Sequence, residues 1–195
     1  GHLREPNDIE SYAALACIAI QSNQNDQHGG QSVPNFDYGM APGVKKAYKR
    51  LYVTNLGKML DFLEDVEDGV ERMKALEGKI EHEYGVFPCM AWDNNYAELE
   101  LAELKKIVPE AEAMKMQDRS RKFADKEIRR KTYQAMEAFI HNLNTMHSRA
   151  GAQVPFSSIN YGTDTSPEGR LVMESVMLAT EAGLGNGETP IFPIQ

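Results

Sequence analysis

The sequence predicts a helix-rich α/β chain that forms part of a larger sheet, and three observations carry that reading. Apolar residues recur at three-to-four spacing over most of the 195 residues, which is the periodicity of helices with one buried face. Strand candidates are few and far apart: Gln153 to Tyr161, Pro190 to Gln195, and a weaker one from Gln31 to Phe36. Two or three separated strands do not make a stable sheet alone, so the chain is expected to be a piece of something larger.

Asn7 and Asp8 precede the first apolar stretch, where their side-chain oxygens suit the free amides of a helix start. From Tyr12 to Ile20 (YAALACIAI) there is almost no polar face, so that helix is expected to be buried on most sides. Gln21 to Asp37 then crowds amide side chains before Gly29-Gly30. A second helical region is expected from about Ala41 to His82, on Met59, Phe62, Leu63, Val66, Val70, Met73, Leu76 and Ile80, weakened at Gly57, Gly69 and Gly78. Its acidic outer face reads as solvent-facing. Gly85 and Pro88 end the pattern in a loop with the single tryptophan, Trp92, and a short helix from Asn95 to Val108 stops at Pro109. A long helix from about Arg119 to Met146 has Tyr133, Met136, Phe139, Ile140, Leu143 and Met146 on its inner stripe. Thr165, Ser166, Pro167 and Glu168 then supply a cap, a first-turn proline and a capping-box glutamate for a helix from Pro167 to Ala182 that ends at Gly183 or Gly185.

Composition narrows the function classes. A net charge of -8 argues against a general nucleic-acid surface, because such surfaces displace counterions with clustered Lys and Arg. The basic groups Lys45, Lys46, Lys49, Arg50 and Arg119 to Lys131 read first as solvated helix faces and second as local phosphate sites. The longest apolar run is too short to cross a membrane and no leader opens the chain, so a cytoplasmic location is expected. Cys17 and Cys89 lie at no metal-ligand or redox spacing and are expected to be buried thiols.

The stretch HSRAGAQVPFSSINYGTDTS, from His147 to Ser166, carries the most chemistry. Gly151 between alanines lets the backbone bend close to another molecule, Arg149 offers a planar fork of donors, and Gln153 offers both a donor and an acceptor. In the strand, Val154, Phe156, Ser158 and Asn160 point one way, while Gln153, Pro155, Ser157, Ile159 and Tyr161 point the other. Neither face is cleanly apolar. The serines and asparagine either satisfy neighbouring backbone or line a ligand site; His28 beside two glycines is a turn histidine or a ligand. Spacing alone predicts a polar, ligand-sized site built from two loops, with no metal, and names no reaction.

The residues themselves go further. NDQHGGQSVPNFDYGMAPGV, with YQAMEAFIHNLNTMHSRAGAQVPFSSINYGTDTSPEGR and LATEAGLGNGETPIFPI, resembles the anaerobic (class III) ribonucleoside-triphosphate reductases, strongly over residues 3 to 50 and 130 to 195 and weakly between. The resemblance implies a helix-rich fragment of a ten-stranded α/β barrel. Its parts are an interface helix and loop at 8–37, a helical insert at about 41–117, a helix, specificity loop and strand at 119–162, and a helix and strand at 166–195. It implies that effector contacts come from Asp8, Glu10, Gln24, Gln27, His28 and Gln31, and that the second specificity loop is Ser148, Arg149, Ala150, Gly151 and Gln153. Ser157, Ser158 and Asn160 are implied to line the substrate cavity.

The same resemblance implies a glycyl radical that generates a cysteine thiyl, formate as reductant, deoxynucleotide or ATP effectors, a radical-SAM activating enzyme and a homodimer. The radical glycine, the thiyl cysteine and the zinc site are expected outside this chain. Neither Cys17 nor Cys89 matches a catalytic position, so no catalytic residue is assigned and the chain alone is expected to be inactive. Two other readings stand beside this one: the related cobalamin-dependent reductases, which HGGQSVPNFD fits less well, and a non-catalytic nucleotide-binding or dimerisation module.

Overall fold

The computed structural model describes residues 4–26, 29–145, 157–185 and 187–195, and of residues 24–26 the backbone only. In chain order the elements are α1 (Ile9–Asp26), β1 (Gln31–Val33), α2 (Phe36–Leu63), α3 (Gly69–Tyr84), α4 (Tyr96–Leu104), α5 (Glu110–Thr145), β2 (Ser157–Ile159) and α6 (Pro167–Ala182). The chain divides into two compact units, Gly1–Lys46 with Arg129–Gln195, and Ala47–Ile128.

In the first unit, Asp8 caps α1 by accepting from the Ser11 amide at 3.0 Å, as a helix start requires. Among the described side chains of α1, only the stripe Ile9, Ala13, Cys17 and Ile20 is buried, whereas Leu15 and Ile18 are 41% and 52% exposed. The expectation of a helix buried on most sides is therefore corrected: a uniformly apolar helix carries no information about which stripe its neighbours cover. One neighbour is α2, which comes so near that a Cβ on Gly43 would lie 2.8 Å from the Tyr12 ring and 3.0 Å from the Ile9 Cα. A glycine at that crossing permits the approach.

β1 and β2 are parallel, with Gln31 opposite Ser157, Ser32 opposite Ser158 and Val33 opposite Ile159. Ile194 joins the other side of β2: the Ile159 amide donates to its carbonyl at 2.9 Å, and its own amide donates to Ser157 at 3.0 Å. Two of the three strand expectations thus form a two-stranded parallel sheet, although β1 stops at Val33 and residues 153–156 lie outside the described ones; the third, Pro190 to Gln195, is no strand and contributes one bridging residue, Ile194, because only that position reaches β2. The segment leading to Ile194 is held by Asn144 of α5. Its Nδ2 donates to the Phe192 carbonyl at 2.6 Å, and its Oδ1 accepts from the Ile191 and Phe192 amides at 3.0 and 3.1 Å. α6 runs over the expected residues. Ser166 is its cap, accepting from the Gly169 amide at 3.1 Å, with Pro167 in the first turn and Gly183 at the end. Glu168 is buried at the second helical position, one place before the position of a capping-box glutamate for a Ser166 cap.

The helical region expected from about Ala41 to His82 comprises two helices, α2, which starts earlier at Phe36, and α3, separated by a turn in which Asp65 and Asp68 adopt positive φ. Asp61 accepts from the first amide of α3, that of Gly69, at 2.8 Å. α4 is shorter than expected and α5 starts nine residues earlier, directly after Pro109. Tyr48, Tyr52, Trp92 and Tyr96 pack edge-on or tilted in the core of the second unit, with Tyr52 and Trp92 ring centres 4.9 Å apart. Within this aromatic group lies a fully buried carboxyl, Glu100, which accepts from Tyr52 and Tyr96 hydroxyls at 2.6 Å each and from Gln117 Nε2 at 3.0 Å. Burial raises its pKa more than those three donors lower it.

A second buried carboxyl makes this unit sensitive to pH. Burial, the hydrogen bond to Glu81 and repulsion from Glu81 and Glu100 push Glu77 up to about 8, against the opposing pull of Lys49 3.9 Å away. Between the ordinary value of 4.5 and about 8 the folded chain holds a proton that the unfolded chain has released. Stability therefore falls as pH rises through that window. Glu77→Gln is expected to flatten the decline and to raise stability at pH 8 by about 1 to 2 kcal/mol. Urea midpoints at pH 5 and pH 8 check this; a variant with the parent's pH slope would show that Glu77 is ionised throughout.

Candidate functional site

Pleating divides the small sheet into two chemically different faces. Gln31, Val33, Ser157 and Ile159 share one face, and Ser157 and Ile159 are fully buried there. Ser32, Ser158 and Ile194 share the other with Asn160, which continues the β2 ladder by donating to Val33 at 3.0 Å and accepting from the Phe36 amide at 2.8 Å. Ser32, Asn160 and Ile194 are exposed and Ser158 is half-buried, so the central strand presents a polar, open surface. Of the three residues expected to line a cavity, Ser158 and Asn160 are brought together, and Ser157 faces the opposite way. Its Oγ and the Nε2 of Gln31, its neighbour in register, are both buried with no hydrogen-bond partner among the described residues.

The rim of the open face is organised by a residue that no sequence motif singles out. Asp37, in the first turn of α2 and 1% exposed, accepts from the Gly162 and Asp164 amides at 3.0 Å each and from the Thr163 hydroxyl at 3.4 Å. Burial works to raise its pKa, but the amides of Asp164, Gly162, Tyr38 and Asp37 itself outweigh it and hold the carboxyl below its ordinary value. An acidic residue in the first helical turn after a strand is a readable signal for a helix start. Its partners, some 125 residues away, are not.

The other expected positions are dispersed. Asp8 is the cap of α1, and Glu10 lies 3.4 Å from Lys131 with its second oxygen buried and unpartnered among the described residues. Glu10 borders a groove of about 140 Å³ between α1 and α5 that also meets Cys17, Gln134 and Asn142. A larger groove of about 440 Å³, between α5 and the end of α6, is bordered by Gln134, Glu137, His141, Asn142 and Leu184. Gln31 lies within β1. Gln27, His28, Ser148, Arg149, Ala150, Gly151 and Gln153 lie outside the described residues, as does the side chain of Gln24.

Several residues of the basic stretches are engaged within the fold. Lys46 donates to Glu5 Oε1 at 2.6 Å, to the Pro6 carbonyl at 3.0 Å and to the Tyr12 hydroxyl at 3.2 Å, while Lys49 meets Glu81 at 3.0 Å. Arg121 lies over Trp92 at 5.6 Å, and Lys122 pairs with Asp118 at 2.9 Å. The stretches lie on α2 and α5, where these named side chains pair with neighbouring groups. Cys17 is buried and donates to the Phe139 carbonyl at 3.8 Å, and burial raises its thiol to about 11. Cys89 is half-buried rather than buried, with Asp93 Oδ1 at 3.7 Å. No group of three or more metal-ligating side chains forms among the described residues, and no helix of theirs is long and apolar enough to cross a membrane.

Comparison with known proteins adds the following. The family model of the anaerobic ribonucleoside-triphosphate reductases matches residues 1–195. The protein of that name from Escherichia coli (strain K12) is 36% identical over 72 residues, covering 36% of this chain and 10% of the relative. Its counterpart in Enterobacteria phage T4 is 33% identical over 89 residues, 45% of this chain and 14% of the relative, and that of Salmonella typhimurium is 35% identical over 72 residues. The matched stretches span about a tenth to a seventh of these relatives.

Proposed function

Since the chain belongs to the anaerobic ribonucleoside-triphosphate reductase family, we propose that it is a segment of a reductase barrel that presents substrate and effector loops around one strand. The full-length protein reduces ribonucleoside triphosphates to deoxyribonucleoside triphosphates in the cytoplasm, by a glycyl and thiyl radical route with formate as reductant. The observation that carries this reading is the sheet: its central parallel strand buries one face and leaves Ser158 and Asn160 open on the other. Strands buried on both faces are expected in a parallel sheet. A polar open face on the middle strand fits a wall of a cavity that other parts of the barrel enclose.

Within this reading, Ser158 and Asn160 offer hydroxyl and amide groups to the substrate, and Ser157 belongs to the packed side. Asp8, Glu10, Gln24, Gln27, His28 and Gln31, with Ser148, Arg149, Ala150, Gly151 and Gln153, form the two effector-reading ends of α1 and α5. The exposed Leu15 and Ile18 of α1 suit a homodimer interface. Neither thiol fits the radical role: Cys17 is buried with its proton held tightly, and Cys89 lies in the unit that lacks the sheet. The radical glycine, the thiyl cysteine and the zinc ligands are accordingly assigned outside the segment, which by itself is expected to be inactive, and a radical-SAM enzyme is the expected activating partner.

The test is Asn160→Ala and Ser158→Ala in the activated full-length reductase. Each is expected to raise the KM for ribonucleoside triphosphate about tenfold, the loss of one to two substrate hydrogen bonds, with deoxynucleotide affinity unchanged. Wild-type KM in both variants overturns the assignment of this face.

A further inference from the structure

Resting on the reading of Ser158 and Asn160 as the substrate-facing pair, we propose that Asp37 is a positioning residue for the substrate: it clamps the chain just beyond Asn160. Two consecutive residues at the start of α2 bind three alternate residues of one extended stretch. The Phe36 amide donates to the Asn160 carbonyl at 2.8 Å, and the Asp37 carboxylate takes the amides of Gly162 and Asp164 at 3.0 Å each. The Thr163 hydroxyl, at 3.4 Å, faces its other oxygen.

The far end of the stretch is fixed separately. Asp164 Oδ1 accepts from the Ser166 amide at 2.7 Å, Ser166 caps α6, and a Cβ on Gly169 would lie 2.6 Å from the Asp164 Cβ. Between the ladder and α6 the one permissive joint is Gly162, at φ 103°, where an added Cβ would meet nothing within 4 Å. Asp37 closes that joint. Without it the chain pivots at Gly162, and the Asn160 amide loses the orientation in which it meets a ribose or base. Asp37 touches no substrate itself; it acts through backbone that leads into the open face.

The geometry sets the variants. Asp37→Ala removes the clamp. Asp37→Asn keeps it, because one amide oxygen accepts both backbone amides while the NH2 donates to Thr163. Gly162→Ala leaves the carboxylate intact and strains the joint at its positive φ in open space. In the activated full-length reductase, Asp37→Ala and Gly162→Ala are expected to raise the KM for ribonucleoside triphosphate tenfold or more, with the Kd for deoxynucleoside triphosphate, titrated without substrate, within twofold of wild type. Asp37→Asn is expected within about threefold of wild type on both.

A folded Asp37→Ala enzyme with wild-type KM overturns the proposal. So does a parallel loss of substrate and effector affinity, which marks general loosening. Should Asp37→Ala fail to fold, Gly162→Ala decides on the same two readouts. Asn160→Ala, run alongside, separates the premise from the inference. Wild-type KM there overturns the substrate-face reading and the proposal with it. A raised KM there with a wild-type Asp37→Ala overturns only the role of Asp37.

Discussion

Glu100→Ala is expected to destabilise the chain by about 3 to 5 kcal/mol, the range for removing one partner of a buried charged network. The carboxyl is fully buried and is the acceptor for two tyrosine hydroxyls and an amide. Truncation leaves the Tyr52 and Tyr96 hydroxyls and Gln117 Nε2 short of an acceptor in a site closed to water, each at a cost of about 1 to 3 kcal/mol. Glu100→Gln is expected to cost only about 1 kcal/mol. Its oxygen replaces the Oε1 that serves both Tyr52 and Gln117, and its NH2 donates to the Tyr96 hydroxyl. Because burial raises the Glu100 pKa, part of the parent's stability is lost as pH rises, and the Gln variant removes that part. Urea denaturation followed by Trp92 emission measures all three chains, since the only tryptophan packs 4.9 Å from the Tyr52 ring. Equal losses for Ala and Gln would show that side-chain volume, and not the hydrogen-bond network, is what matters at this position.

Gly57→Ala is expected to destabilise by about 3 kcal/mol although it replaces glycine by the best helix former. A Cβ there overlaps the backbone of Gly69 and Val70, and the reciprocal Cβ on Gly69 overlaps the Gly57 carbonyl, so backbone meets backbone where α2 and α3 cross. At Gly57 all three nearest atoms are backbone, which cannot move aside. Gly78, inside α3, has nothing within 4 Å of an added Cβ. Gly78→Ala should therefore stabilise by about 0.5 to 1 kcal/mol, the propensity gain alone. The same substitution, further along the same helical region, is expected to change sign. Thermal or urea midpoints of the two variants test this as a pair; two stabilising substitutions would mean that the helices separate at little cost.

The two glycines also show what a sequence pattern can and cannot carry. Both read as local weak points of one long helix, because propensity is a property of the residue and its near neighbours. Whether the missing Cβ is a weakness or a requirement depends on what lies across from it. α1 gives the same lesson from the apolar side: every position from Tyr12 to Ile20 suits burial, and only the packing selects Ala13, Cys17 and Ile20 and leaves Ile18 exposed. In the strand, alternation alone puts Ser158 and Asn160 on one face and Ser157 on the other, yet the expected cavity lining grouped all three.

The sequence by itself determined the helical content, the ends of α6 through Ser166, Pro167 and Gly183, the parity of β2 and the family. Each is encoded within a few neighbouring residues or in long matching motifs. Only the tertiary structure decided that β1 and β2 lie parallel with Ile194 bridging the other side of β2, and that Asp37 and Asn144 hold the adjoining chain. It also decided which of the β2 side chains face the open surface. Those contacts join residues 35 to 127 positions apart, and no local pattern marks a carboxylate or amide as one that binds remote backbone.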